Sequence, residues 1–238
     1  MILAILQART TSTRLPGKVL LPLAGAPSMQ RQIERIGRSE LIDRLVVATS
    51  TDPSDDPVAD LAATLRLDVH RGSLANVQQR FIGALDAFPA DHVVRLTADC
   101  PLADPLVIDA TIAHVLAAGV DYGSNTPPHR TFPKGLDVEV MTAAALRDAA
   151  ARASSEEERQ HVTWALHQRP DLYRQAFLSQ AAEEGEVRWT VDRPDDYQFM
   201  MAVYDALHPA DPAFSSDDVR AFVRARPDLA NLGGDRRV

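Results

Sequence analysis

The chain has 238 residues and a formal net charge of -8, with 45% hydrophobic and 24% charged residues. That length allows one substantial core, and that composition excludes a disordered or fibrous chain. The acidic balance excludes nucleic acid as a general partner, and the single cysteine, Cys100, excludes an intrachain disulfide or a multi-cysteine metal site and fits a reducing compartment.

The opening run MILAIL is too short for a signal sequence or a membrane span, so a cytoplasmic protein without a membrane partner is expected. ILAIL at 2–6 predicts a buried strand and APSMQRQIERIGRS at 26–39 a helix. RLVVATS at 44–50 predicts a second strand, and DDPVADLAATLR at 55–66 a helix opened by acidic residues and proline. DVHRG at 68–72 predicts a third strand, LANVQQRFIGALDAF a helix, and VVRL within DHVVRLTADCP a buried strand ending in polar residues. PLVIDATIAHVLAAG predicts the next helix. After Asp121 the alternation stops at YGSNTPPHRTFPKGLDVEVM, so 122–136 is expected as a long loop or hairpin arm ahead of a strand over GLDVEV. Helices over TAAALRDAAARA and SEEERQHVTWALHQR, strands near YRQAFL and EVRWTV, and a helix from PDDYQFMMAVYDAL complete the chain.

This rhythm predicts one α/β domain over 1–238: a mostly parallel sheet, helices on both faces, and an irregular arm or lid at 122–140. Ligands of open α/β sheets bind at the C-terminal ends of the strands, where QART, ATSTD, RGS and TADCP fall.

QARTTSTRLPGK at 7–18 concentrates Arg9, Arg14 and Lys18 at that edge. Turn backbone N–H groups and charge-assisted bonds from these cations suit a polyphosphate, while a solvated basic loop with a Pro-Gly turn is the plainer reading. The loop has neither P-loop nor GxGxxG spacing. Asp99, after VVRLT, and Asp192, after RWTV, stand at strand ends, where helix or turn capping is the simple reading of each taken singly. Asp195 and Asp196 read as first-turn charges, and Cys100 as a small buried side chain.

The strand followed by Ala8, Arg9, Ser12, Arg14, Leu15, Pro16, Gly17 and Lys18 resembles the signature of the cytidylyltransferases that make CMP-activated acidic sugars. The likeness extends over nearly the whole chain through VVATSTDPSDDP, HRGS, VRLTADCPLADP, FPKGLDVEV, QHVT and RWTVDRPDDY, and is nearest the spore-coat polysaccharide branch. It implies a Rossmann-like nucleotide-diphospho-sugar transferase fold and nucleotide contacts from Leu6, Ala8, Arg9, Ser12, Arg14, Lys18, Thr49, Arg71 and Ser73. It further implies Mg²⁺ or Mn²⁺ on Asp99 and Asp192, and catalytic roles for Arg14, Lys18 and Asp99. The acceptor side would draw on Lys134, Arg130, Asp137, Glu139 and His161, although strand alternation accounts for Glu139 and capping or packing for His161. The implied reaction moves CMP from CTP to a hydroxyl of an ulosonic or nonulosonic acid and releases pyrophosphate, although phosphorylated or phosphonate acceptors would suit the same cations. A glycosyltransferase using a nucleotide-sugar, and an inactive nucleotide-binding scaffold, are the alternatives. The resemblance also implies a homodimer with Phe132 and Pro133 at or near the interface, against a lid that closes within one chain.

Overall fold

A computed structural model describes residues 1–126 and 128–238; Pro127, in the expected arm, lies outside the described residues. In chain order, β1 (Ile2–Gln7) leads to a small hairpin of β2 (Pro22–Leu23) and β3 (Ala26–Pro27), then α1 (Ser28–Ile36), β4 (Arg44–Ser50), α2 (Asp56–Thr64) and β5 (Asp68–Gly72). There follow α3 (Val77–Ala87), β6 (His92–Thr97), α4 (Pro105–Ala118), β7 (Tyr122–Ser124), β8 (Glu139–Thr142) and α5 (Ala143–Arg152). Next come α6 (Glu156–Gln160), α7 (Trp164–Gln168), β9 (Gln175–Phe177), α8 (Pro194–Leu207) and α9 (Ser216–Arg224).

Seven strands form one sheet in the order β5-β4-β1-β6-β8-β7-β9. The pairs β4–β5, β1–β4, β1–β6 and β7–β9 are parallel, while β8 runs antiparallel to β6 and β7. Continuous aliphatic strands are the mark of a sheet covered on both faces. Leu3 and Ile5 accordingly pack with Phe81 of α3 and Leu146 of α5, whereas Ala4 and Leu6 pack with Ile33 of α1, Ala62 of α2 and Ile112 of α4. A third cluster gathers Trp189 with Phe199 and Val203 of α8 and Val219 of α9.

The chain runs outward from β1 to β4 and β5, then returns to place β6 on the other side of β1. The strand order therefore reverses between β1 and β6, and a crevice opens at their C-terminal ends, where Gln7 stands in register with Thr97.

Several expectations change. The single helix over SEEERQHVTWALHQR is two short helices, because Val162, wholly buried, turns into the core and His161 leaves helical geometry at φ -107, ψ 87. EVRWTV forms no strand: only Lys134 bridges to Arg188. Pro133 has no N–H to extend the pairing, and Gly135, at φ 112, turns the chain away. The arm contains β7, and Phe132, expected at a subunit interface, is 6% exposed and packed within its own chain. Pro133 is buried as well. β2 and α9 fall in stretches for which the sequence pattern offered no element, and β3 takes Ala26 and Pro27, the first two residues of the helix expected over 26–39.

Candidate active site

The loop after β1 folds on its own backbone. Ser12 and Gly17 both donate N–H to the Thr10 carbonyl at 2.9 Å, and Gly17, at φ 67, turns the chain into a short 3₁₀ helix that starts at Lys18. Asp55 anchors the loop from the β4 side. One carboxylate oxygen accepts from Thr10 N–H at 2.7 Å and its hydroxyl at 2.9 Å; the other accepts from the Ser50 hydroxyl at 2.5 Å. Burial works to raise the Asp55 pKa, but the bonds from Ser50 and Thr10 outweigh it and hold the carboxyl below its usual range.

Asp99 follows β6 and Asp192 precedes α8, and backbone bonds tie the two segments: Val191 N–H donates to the Asp99 carbonyl at 2.8 Å. Lys18 Nζ lies between the carboxylates, 2.9 Å from Asp99 Oδ2 and 2.8 Å from Asp192 Oδ1. Arg14 reaches Asp192 at 3.0 Å and Arg188 at 2.7 Å, so three cations meet one carboxylate. Burial alone would lower the Lys18 pKa, yet the charges and hydrogen bonds of Asp99 and Asp192 raise it; burial would raise Asp192, and Lys18, Arg188 and Arg14 lower it instead. The aligned ion pairs keep both groups charged.

Asp196 fixes the Asp192 segment. Wholly buried, it accepts the backbone N–H groups of Asp192 and Arg193 at 3.0 Å each, Arg188 at 3.1 Å, and the buried Arg237 at 2.9 Å. These bonds override burial and hold its carboxyl far below the ordinary carboxylate range. What reads in sequence as a first-turn charge is the support of the site.

Two carboxylates that converge on an ammonium fit a small hard cation that takes its remaining ligands from phosphate and water. Among the described residues no cluster of three or more His, Cys, Asp or Glu gathers into an all-protein cage. Cys100 is buried beside Asp99, and burial first, then the Asp99 charge, pushes its thiol well above the ordinary range.

A cavity of about 350 Å³ occupies the β1–β6 crevice, lined by Arg9, Ser12, Arg14, Lys18, Asp99 and Asp192 among others. Leu6 and Ala8 are buried and offer backbone only, and Ala8 N–H is already bonded to the Ala48 carbonyl at 3.1 Å. Thr49 is wholly buried and outside the cavity wall. Arg71 is held by the Ser50 and Asp52 carbonyls at 2.8 and 3.2 Å and by Asp56 at 2.6 Å, and Ser73 Oγ caps Asn76 N–H at 2.9 Å. Neither lines the crevice, so local structure accounts for both.

On the acceptor side, Asp137, Glu139 and His161 line adjoining cavities. Lys134 does not: its ammonium faces Glu186 at 3.6 Å, and Arg130 is bound to Asp137 by two bonds of 2.5 and 2.9 Å.

The family profile for cytidylyltransferases matches residues 3–204. The chain belongs to the cytidylyltransferase family. It is 33% identical to the spore coat polysaccharide biosynthesis protein SpsF of Bacillus subtilis, over 96% of each chain. It is 32% identical to an uncharacterised protein of Methanocaldococcus jannaschii, over 99% of this chain and 96% of that one. Its fold superposes on a cytidylyltransferase structure from Leptospira borgpetersenii with TM-score 0.90 and 26% identity, over 96% and 95% of the two chains. CMP:2-keto-3-deoxy-manno-octonic acid synthetase complexed with CTP shares the fold at TM-score 0.61 and 16% identity, over 84% and 97% of the two chains.

In this cytidylyltransferase, sequence reasoning missed Gln7 and Arg95, which line the crevice, and Asp55, Arg188 and Asp196, which support it. Arg95 carried a signal: it is a cation inside the aliphatic strand VVRL. Arg188 carried the same signal inside EVRWTV, whereas Gln7, Asp55 and Asp196 carried none, because polar residues near turns and helix starts are ordinary.

Proposed function

We propose that this cytidylyltransferase binds CTP in the β1–β6 crevice and transfers CMP to a hydroxyl of a small acidic sugar in surface polysaccharide or glycoconjugate synthesis, with residues 1–238 acting as one unit, as expected in the cytoplasm. The observation that carries the reading is the pair Asp99 and Asp192 converging on Lys18 beneath the Arg9–Lys18 loop. An octonic-acid synthetase of the same fold is known complexed with CTP, and another protein of this fold, at 17% identity, with manganese.

Arg9, Arg14 and Lys18 would bind the triphosphate and stabilise charge that develops on the leaving pyrophosphate. The acceptor oxygen–α-phosphorus bond forms as the α–β bridge bond breaks. The bridge electrons leave with pyrophosphate and the hydroxyl proton passes to solvent. Asp99 and Asp192 would hold Mg²⁺ or Mn²⁺, which supplies charge neutralisation on phosphate and a lower acceptor hydroxyl pKa. For that, the Lys18 ammonium must leave the carboxylates for phosphate oxygens. Asp196, Arg188 and Asp55 keep Asp192 and the loop in place throughout.

The test is pyrophosphate release from each nucleoside triphosphate against a panel of ulosonic and nonulosonic acids. CTP-dependent release with a sugar acid is expected. Release of a nucleoside diphosphate from a nucleotide-sugar instead would replace this reading with glycosyl transfer.

A further inference from the structure

Two cavities, of about 300 and 380 Å³, adjoin the nucleotide crevice on the β8 side. Arg95, Thr126 and Glu139 line both, and Arg95 lines the crevice too, so three spaces meet at one guanidinium. Arg95 projects from the middle of β6, between Gln7 of β1 and Glu139 of β8. Glu139 accepts from Arg95 Nη1 and, on its other oxygen, from the Tyr122 hydroxyl at 2.7 Å. The remaining donors of Arg95 are poorly used. Nη2 has one long bond, 3.3 Å to Gln7 Oε1, and the buried Nε has no partner. Nε is closed off from the cavities, so the donors open to a further acceptor group are the second N–H of Nη1 and that of Nη2.

The charge around it limits what that group is. The two cavities are lined by three carboxylates, Asp137, Glu139 and Glu157, and among the described residues by a single Lys or Arg, Arg95. Arg130 is occupied by Asp137, and Lys134 lines neither cavity. Asp137, Glu139 and Thr126 suit hydroxyl groups, which donate to carboxylates. Asp137 and Glu139 are themselves paired with Arg130 and Arg95, so a second negative charge on the ligand would find no free Lys or Arg among the described lining residues.

We propose that Arg95 is the acceptor-selecting residue: it binds the one carboxylate of a polyhydroxylated sugar acid, and a lining with no second free Lys or Arg disfavours doubly charged phosphorylated acceptors. This rests on the cytidylyl-transfer reading above. Arginine suits the task because its planar fork takes a carboxylate on two donors while Glu139 keeps a third.

The experiment measures pyrophosphate release from CTP with matched acceptors: ulosonic acids, their carboxamides and their phosphate monoesters. In the wild-type protein the free acid should exceed both the carboxamide and the phosphate ester at least tenfold in kcat/KM. In Arg95→Gln the preference for acid over carboxamide should collapse to within about threefold, and Arg95→Lys should keep part of it. A merely structural role for Arg95 would lower acid and carboxamide alike and leave their ratio intact, which overturns the proposal. So does a phosphate ester used as well as the acid, a result Arg95→Gln folding is not needed to obtain. CTP binding by calorimetry without pyrophosphate release from any acceptor sinks cytidylyl transfer itself, a separate and recognisable failure.

Discussion

Lys18 and Asp196 are the two side chains whose loss separates chemistry from support. Lys18→Ala removes the cation between Asp99 and Asp192 and, on the proposed mechanism, a donor to the departing phosphates. Its kcat/KM for CTP should fall about 10²-fold, the effect of removing one preorganised donor. Steady-state pyrophosphate release checks this, and a change under threefold would remove Lys18 from the mechanism. Asp196→Asn instead leaves the buried Arg237 and the half-buried Arg188 short of their counter-charge, at a cost of about 3 kcal/mol in stability. Urea unfolding should show a lower midpoint with the same slope. The pH sign follows from the depressed carboxyl pKa of Asp196. Its stabilisation is fully present above the unfolded carboxylate pKa of about 3.9 and is lost as pH falls towards the folded value. Between about pH 5 and 2 the Asn variant should therefore lose stability less steeply than the wild type. Parallel curves would show that Asp196 does not contribute as an ion.

At the scale of elements, two glycines make contrasting demands. Gly17 has φ 67, but no atom lies within 4 Å of where a Cβ would stand, so Gly17→Ala meets only backbone strain, about 1 kcal/mol. Gly135 has φ 112, and a Cβ there would lie 2.6 Å from the Trp189 carbonyl carbon and 2.7 Å from Thr190 N, backbone atoms that cannot swing aside. Strain and overpacking together should cost about 3 kcal/mol in Gly135→Ala. The affected segment carries Asp192, so activity should fall with stability in Gly135→Ala. Denaturant midpoints for the pair test the ordering, and equal midpoints would contradict the close approach of residues 135 and 189. Asp55 works on an element boundary: it ties Thr10 of the loop to Ser50 at the end of β4. Asp55→Ala should raise the KM for CTP about tenfold or more through a looser loop, a loss expected when a positioning partner is removed. An unchanged KM would mean the loop holds its shape without Asp55.

For the whole molecule, the burial of Phe132 within its own chain gives it a part in folding. A ring at 6% exposure within its own chain stabilises the fold, and Phe132→Ala should cost about 3 kcal/mol. That loss should be the same at every protein concentration, as read by thermal melts over a dilution series. A loss that grows on dilution would return Phe132 to a subunit interface. No helix among the described residues is long and apolar enough to cross a membrane.

The sequence by itself determined the α/β rhythm through its strand-length aliphatic runs and 3.6-residue periodicities, both local properties of the chain. It also marked the Arg9–Lys18 loop and Asp99 and Asp192, because each follows directly on an apolar run that reads as a strand. Tertiary structure decided the partners. Lys18 lies 81 residues from Asp99 and 174 from Asp192, and no pattern in the chain states that they meet. Arg71 and Ser73 fall at the right edge by sequence, yet Asp52, Asp56 and Asn76 claim them locally. EVRWTV has strand composition, but a strand needs a neighbour with free N–H and C=O groups, and Pro133 and Gly135 deny it one. Conversely, Arg95 gains its place at the meeting of three cavities only because β1 and β8 flank β6. Periodicity fixes which residues a strand exposes to each face; which strand lies beside it depends on burial summed over the whole sheet.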